Sequence, residues 1–195
     1  MKKFIFFLYP ILLYANYSDS GPHEVVISVD NFTLSSGQSI EYTFFTPADI
    51  NHITQVTLVH AFSRNMDSYY ELAEHYASWG LGVITMNLFY SSIFDNDPFQ
   101  DAIDLREVSD YFSDGRSVIY VGHSAGAMRA IVAATEDTNA IAILGLDLTD
   151  GAYEDSGGEF LGLMHANMLS IPIWGLLGEA SSCNAYGNGL NVYLE

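Results

Sequence analysis

The spacing of apolar and polar positions changes along the chain, and each change marks an element. His23 to Asp30 and Ser39 to Thr46 are rich in β-branched and aromatic residues, and the Ser35-Ser36-Gly37 turn lies between them. That pattern predicts an antiparallel hairpin. Ile53 to His60 is a short apolar run and predicts a strand. From Ser68 to Trp79, Leu72, His75, Tyr76 and Trp79 recur at helical spacing, with Asp67 or Ser68 placed to cap the first turn. Gly82 to Asn87 predicts a further strand, and Leu88 to Asp97 an aromatic-rich loop. Asp97-Pro98 opens a helix that runs to about Ser113 and ends at Gly115. Val118 to Val121 then reads as a strand buried on both faces, followed by an Ala-rich helix from Ala125 to Ala134 with Met128, Ile131 and Val132 inward. Ala140 to Leu146 and Pro172 to Leu177 predict two more strands, with a helix from Glu159 to Leu169 between them. Strands alternating with helices predict an α/β fold: a mainly parallel sheet with helices on both faces and the antiparallel hairpin at its edge.

Composition adds an address and removes some partners. Residues 1 to 16 carry Lys2 and Lys3, an apolar stretch from Phe4 to Tyr14, and small Ala15 before polar Asn16. This is the pattern of a secretory signal peptide, too short for a membrane span, so the protein is expected to be secreted or periplasmic with no stable membrane anchor. Residues 17 to 195 then form a single domain, since 195 residues that are 49% hydrophobic support one substantial core and not two. The formal net charge of −18 makes nucleic acid an unsuitable partner. The acids are spread along the chain, as on a solvated surface. Cys183 is the single cysteine, either buried as a small hydrophobe or paired with a group outside this chain. Neither metal-ligand spacing nor a Gly-rich phosphate cradle occurs, so no metal and no cofactor are expected.

The chemistry centres on Gly122-His123-Ser124-Ala125-Gly126, set between the Val118–Val121 strand and the Ala-rich helix. A strand-to-helix turn this tight leaves no room for Cβ atoms at its glycines and lifts the serine hydroxyl above the sheet. The helix start beside Ser124 offers free N–H groups and its positive dipole end where an oxyanion would form. Ala125, next after the nucleophile, supplies one such N–H.

This segment resembles the nucleophile region of α/β-hydrolases, and the likeness extends over roughly residues 40 to 190. His60-Ala61-Phe62-Ser63-Arg64, Gly145-Leu146-Asp147-Leu148-Thr149-Asp150-Gly151 and the late Ser182-Cys183-Asn184 resemble the chlorophyllase-like and secreted lipase or esterase branch. The resemblance implies a serine hydrolase of carboxylic esters that needs no cofactor, acting on a small-molecule, lipid or polymer ester. It implies that Phe62 supplies the second oxyanion N–H, although Ala61 stands where similar enzymes carry Gly, so the backbone there must avoid left-handed angles. It also implies Asp147 as the acid that orients the base. Glu179, just past the next strand, is the rival acid, and Asp150 a third candidate better suited to a turn. Phe62, Phe89, Tyr90, Phe94 and Tyr153 are candidates for an apolar acyl site.

No histidine of the chain suits the role of base. His23, His52 and His75 belong to the hairpin, a strand approach and a helix, while His60 is expected to hold the oxyanion loop by hydrogen bonding. His123 lies inside the turn, and His165 precedes the last strand. The catalytic histidine is therefore expected outside this chain, in a C-terminal part beyond Glu195. The alternative function is a non-catalytic binding or interaction protein that keeps the hydrolase scaffold.

Overall fold

The computed structural model describes residues 16–152 and 157–194. The N-terminal apolar stretch and Tyr153 lie outside these residues. Seven strands, β1 (Val25–Thr33), β2 (Ser39–Pro47), β3 (Thr54–Val59), β4 (Gly82–Met86), β5 (Ser117–His123), β6 (Ala140–Leu146) and β7 (Ile173–Leu176), form one sheet in the order β1-β2-β4-β3-β5-β6-β7. β1 and β2 pair antiparallel, and β2 also lies antiparallel to β4; every other pair is parallel. The expected hairpin thus occupies one edge, and the parallel strands bring their carboxyl ends to a common rim. A parallel sheet needs its faces covered by crossover helices. Helix α1 (Tyr70–Ser78) packs on one face against Phe45, Val56, Leu58, Val83 and Val121. Helices α2 (Pro98–Ser113), α3 (Ala125–Ala134) and α4 (Leu161–Ala166) cover the other, over the larger core built around Tyr120, Met128, Ile131 and Ile143.

Several local signals act as the sequence suggests. Asp97 caps α2, its carboxylate accepting from Phe99 N at 3.1 Å and Gln100 N at 3.0 Å with Pro98 in the first turn. Other expectations need correction. Neither Asp67 nor Ser68 caps α1: a 3-10 turn at Met66–Tyr69 comes first, and Ser68 Oγ donates to Asn65 Oδ1 instead of accepting from the backbone. The left-handed end of α2 begins at Asp114 (φ 49°), one residue before Gly115. The α4 helix is six residues, shorter than its pattern, and starts after Phe160, which is extended and bridged to Ala152. The stretch after β7 folds as 3-10 turns over Ser182–Tyr193 with a left-handed kink at Ala185–Gly187. Cys183 is exposed there and not buried. Among the described residues no helix is long and apolar enough to cross a membrane.

A buried ion pair joins α2 to α3. Arg129 and Asp101 are both fully buried, with Nε donating to Asp101 Oδ2 at 2.7 Å. Asp101 Oδ1 accepts from Tyr90 N at 2.9 Å, while Arg129 Nη2 donates to the Tyr90 carbonyl at 3.2 Å and to Asn96 Oδ1 at 2.8 Å. Burial pushes the Asp101 carboxyl above the usual carboxylate range, and the Arg129 charge opposes that. The pair therefore pins the loop from Tyr90 to Asn96 onto the helix that starts beside Ser124. Removing one buried partner strands the other, which costs about 3–5 kcal/mol. Arg129→Met is expected to lose stability on that scale in urea unfolding, whereas Arg129→Met with Asp101→Leu should recover a large part of it. Equal loss in both variants would show that packing, not the stranded charge, sets the cost.

Candidate active site

Ser124 stands between β5 and α3 with φ 53° and ψ −126°. A non-glycine residue held at such angles stores about 1–3 kcal/mol, so the surroundings must enforce it. They do so from three sides. A Cβ on Gly122 would run into the Ala127 backbone, and one on Gly126 into the His60 carbonyl oxygen. Ser124 N donates to Leu146 O at 2.9 Å, which ties the turn to the end of β6. The hydroxyl is thereby presented at the carboxyl rim beside the first N–H groups of α3, Ala125's among them.

The loop after β3 is fixed from below. His60 is buried; its Nδ1 donates to Ala61 O at 2.9 Å and its Nε2 accepts from Leu88 N at 3.1 Å. Those two bonds demand the neutral ring with hydrogen on Nδ1, and burial holds the His60 pKa below the usual histidine value, with the Arg129 charge acting in the same direction. Ala61 N donates to Tyr69 Oη at 3.2 Å, and the same hydroxyl lies 2.7 Å from His123 Nδ1. Tyr69 therefore couples the loop to the serine turn. The left-handed residue is Ser63 (φ 54°), not Ala61, and Ser63 N donates to Ser91 O at 2.7 Å. Displacing the strained angle two residues along removes the need for glycine at position 61.

The three candidate acids have different surroundings. Asp147 caps the end of β6 in a left-handed conformation (φ 51°), and its Oδ1 accepts from Gly178 N at 2.9 Å and Asn184 Nδ2 at 3.0 Å. Among the described residues its Oδ2 has no hydrogen bond. The ring of Tyr193 lies over the paired Gly145 and Gly175, and burial, with the Asp147 charge second, pushes its phenol up to about 12. Asp150 is occupied elsewhere: its carboxylate accepts from Gly151 N, Gly162 N and Leu163 N, closing the start of α4. Glu179 is exposed, and only its carbonyl is engaged, by Asn184.

A cleft of about 300 Å³ opens beside Ser124, lined among others by Phe62, Asn96, Ala125, Thr149 and Cys183. Ser124 Oγ donates to Thr149 Oγ1 at 3.2 Å. Phe62 is the one described aromatic of the expected acyl site on this wall. Phe89 and Tyr90 do not line the cleft, the Tyr90 hydroxyl reaching instead toward Gln38 at 3.4 Å, and Phe94 is 93% exposed. Tyr153 lies outside the described residues. None of the six histidines is hydrogen-bonded to Ser124 Oγ. His23 pairs with Asp49, His52 packs on Gly82, His165 bonds the Leu161 carbonyl, and His75 sits on α1, leaving His60 and His123 in the bonds above. From the sequence Thr149 and Asn184 appear only as motif members without a role, and Tyr69, Asn96 and Arg129 do not stand out. Of the last three, Arg129 leaves a signal, as a lone charge inside an apolar Ala-rich helix. Among the described residues no group of three or more His, Cys, Asp and Glu is placed to hold a metal ion.

This seven-stranded, mostly parallel sheet has many counterparts among solved structures. One, a protein assigned as a dienelactone hydrolase from Klebsiella pneumoniae, superposes with a TM-score of 0.66 at 11% identity, over 87% of this chain and 79% of that one. This chain has the α/β-hydrolase fold. The α/β hydrolase GrgF from Penicillium matches with a TM-score of 0.57 at 15% identity, over 65% of this chain and 47% of its own. DcsB, solved in complex with its substrate analogue, matches with a TM-score of 0.57 at 19% identity, over 67% of this chain and 49% of its own. The chain thus spans about half the length of DcsB and GrgF. No protein-family model matches the sequence, and no curated protein matches it.

The neutral His60 gives this α/β-hydrolase fold a pH dependence. Its folded pKa is lowered, so between that value and about 6.5 the unfolded chain binds more protons than the folded one and stability falls as pH falls. Burial lowers His52 as well, with the same sign. Unfolding free energy is expected to decline as pH drops below about 6.5, and His60→Gln to flatten that decline. An unchanged slope in the variant would remove His60 from the account.

Proposed function

We propose that this protein is a secreted serine hydrolase that cleaves carboxylic esters through an acyl-enzyme on Ser124. The observation that carries the proposal is the backbone of Ser124, held at φ 53° with its hydroxyl in a cleft and the first N–H groups of a helix beside it. Strain of this kind at a single half-buried serine is a feature of nucleophile turns. In the proposed mechanism Ser124 Oγ attacks the ester carbonyl, and the N–H groups of Ala125 and Phe62 hold the oxyanion. Asp147 orients a histidine through the oxygen that Gly178 and Asn184 leave uncommitted. That histidine is proposed to come from outside the described residues, entering between Asp147 and Ser124 and displacing the Thr149 bond. The Asp147 assignment is favoured over Glu179 because a carboxylate held by two donors at a strand end is pre-positioned, whereas Glu179 is not. The substrate would be a small-molecule, lipid or polymer ester, with Phe62 against its acyl chain.

A second function, a non-catalytic binding protein on the same scaffold, is favoured by one observation: the hydroxyl of Ser124 is bonded to Thr149 and to no base. The two separate on the full-length protein. Hydrolysis of short p-nitrophenyl esters, together with fluorophosphonate labelling, should be present in the native protein and absent in Ser124→Ala; retained turnover in that variant would sink the assignment. Asp147→Asn is expected to lower kcat by about 10⁴, the scale of losing an orienting acid, with Glu179→Gln changing it only a few-fold. The reverse outcome would move the acid to the end of β7. Export is proposed from the N-terminal pattern, and N-terminal sequencing of the mature protein should begin at Asn16 or Tyr17.

A further inference from the structure

Asn96 lines the Ser124 cleft at the end of the loop that Arg129 pins. Its amide has a defined direction. Oδ1 accepts from Arg129 Nη2 at 2.8 Å, and a guanidinium has only donors, so the oxygen must face it and the amide cannot be turned over. Arg129 is itself immobilised, fully buried, with Nε on Asp101 at 2.7 Å and Nη1 on the Ala125 carbonyl at 3.3 Å. The same guanidinium thus registers the Asn96 amide against the residue that follows Ser124. Among the described residues Asn96 Nδ2 has no acceptor, and Asn96 is exposed. Asn96 lines a cleft of about 300 Å³, and with its oxygen held by Arg129 the end of the amide left to meet a ligand there is the N–H₂ donor.

We propose that Asn96 Nδ2 is a substrate-binding donor that hydrogen-bonds an uncharged acceptor oxygen carried by the ester beyond its reacting carbonyl. The cleft is thereby selective for esters bearing such a hydroxyl, ether or keto oxygen. This rests on the assignment of Ser124 as nucleophile. The acceptor is uncharged because Asp150 also lines the cleft and the chain carries a net charge of −18, both of which repel an anion. Arg129 is a positioning residue: it sets which end of the amide meets the substrate and touches no substrate itself.

The test uses acyl chains that differ by one atom. p-Nitrophenyl methoxyacetate replaces a methylene of p-nitrophenyl butyrate with oxygen, and the methoxypropionate and pentanoate esters form a second pair with the oxygen one carbon farther out. With kcat/KM normalised to hydroxide-catalysed hydrolysis, the native full-length protein should favour the oxygen-bearing ester of at least one pair by about tenfold, the scale of a single hydrogen bond. Asn96→Asp keeps an oxygen for Arg129 and exchanges the donor for an acceptor. It should abolish the preference, the greater loss falling on the oxygen-bearing member of each pair. Asn96→Ala should also abolish it. A preference absent from both pairs, or unmoved by both variants, or an equal loss on both members of a pair, overturns the proposal. Should the native protein turn over none of the esters, the hydrolase assignment fails, and calorimetric titration of Ser124→Ala with the intact esters decides the Asn96 proposal separately. Tighter binding of the oxygen-bearing ester that Asn96→Asp removes upholds it; equal binding overturns it.

Discussion

The site depends on one close approach, that of the start of α3 to the end of β3. Gly126 lies against the His60 carbonyl with no room for a side chain, and Gly122 lies equally close to Ala127. The contact forces Ser124 into its unfavourable backbone angles, and the bond from Ser124 N to Leu146 O holds the turn there. It also sets the distance between the serine and the loop that follows β3, because the residue whose carbonyl meets Gly126 is the one whose ring braces that loop. His60 and Tyr69 then act as struts, one below the loop and one across to His123. Packing density, and not any single hydrogen bond, is what stores the strain.

A second constraint is electrostatic. The chain carries many more acids than bases, yet Arg129 is placed at the centre of the fold with no exposure. Burying a guanidinium is costly unless its donors are satisfied, and Arg129 finds Asp101, Asn96 and the carbonyls of Ala125 and Tyr90. The satisfied network joins three segments distant in sequence: the cleft loop, α2 and the helix behind Ser124. The acidic surface is compatible with this arrangement because surface charges act through water and are screened, whereas the interior pair is not.

The acids at the rim show how a few residues of separation decide a role. Asp147 and Asp150 occupy the same short loop after β6. Asp147 leaves the strand in a left-handed turn and faces the β7 loop, where Asn184 and Gly178 hold one oxygen and leave the other uncommitted. Asp150 turns the opposite way and spends its carboxylate on three backbone N–H groups at the start of α4. Glu179, on a longer stem and exposed, has no comparable support. Backbone donors thus occupy both oxygens of Asp150 and only one of Asp147, a difference between the two acids that composition alone does not show.

Much of the architecture was legible from the sequence because it rests on local signals. Periodicity placed all seven strands and the long helices, Asp97-Pro98 marked the start of α2, and Gly-x-Ser-x-Gly located the turn, since each is a rule about a residue and its near neighbours. Elements that depend on short polar turns were less legible: the 3-10 entry to α1, the shortened α4 and the folded Ser182–Tyr193 stretch follow from tertiary docking that overrides weak propensity. The site divides in the same way. Ser124, Ala125 and Asp147 stand at strand and helix ends and could be named from the chain. Thr149, Asn184, Tyr69 and Asn96 could not, because an ordinary polar residue on a loop takes its meaning from a partner up to 54 positions away, as Tyr69 does from His123. The direction of the Asn96 amide is the extreme case. Sequence places an amide on a loop, and only a buried guanidinium reaching it from another helix determines which end is held and which is left free.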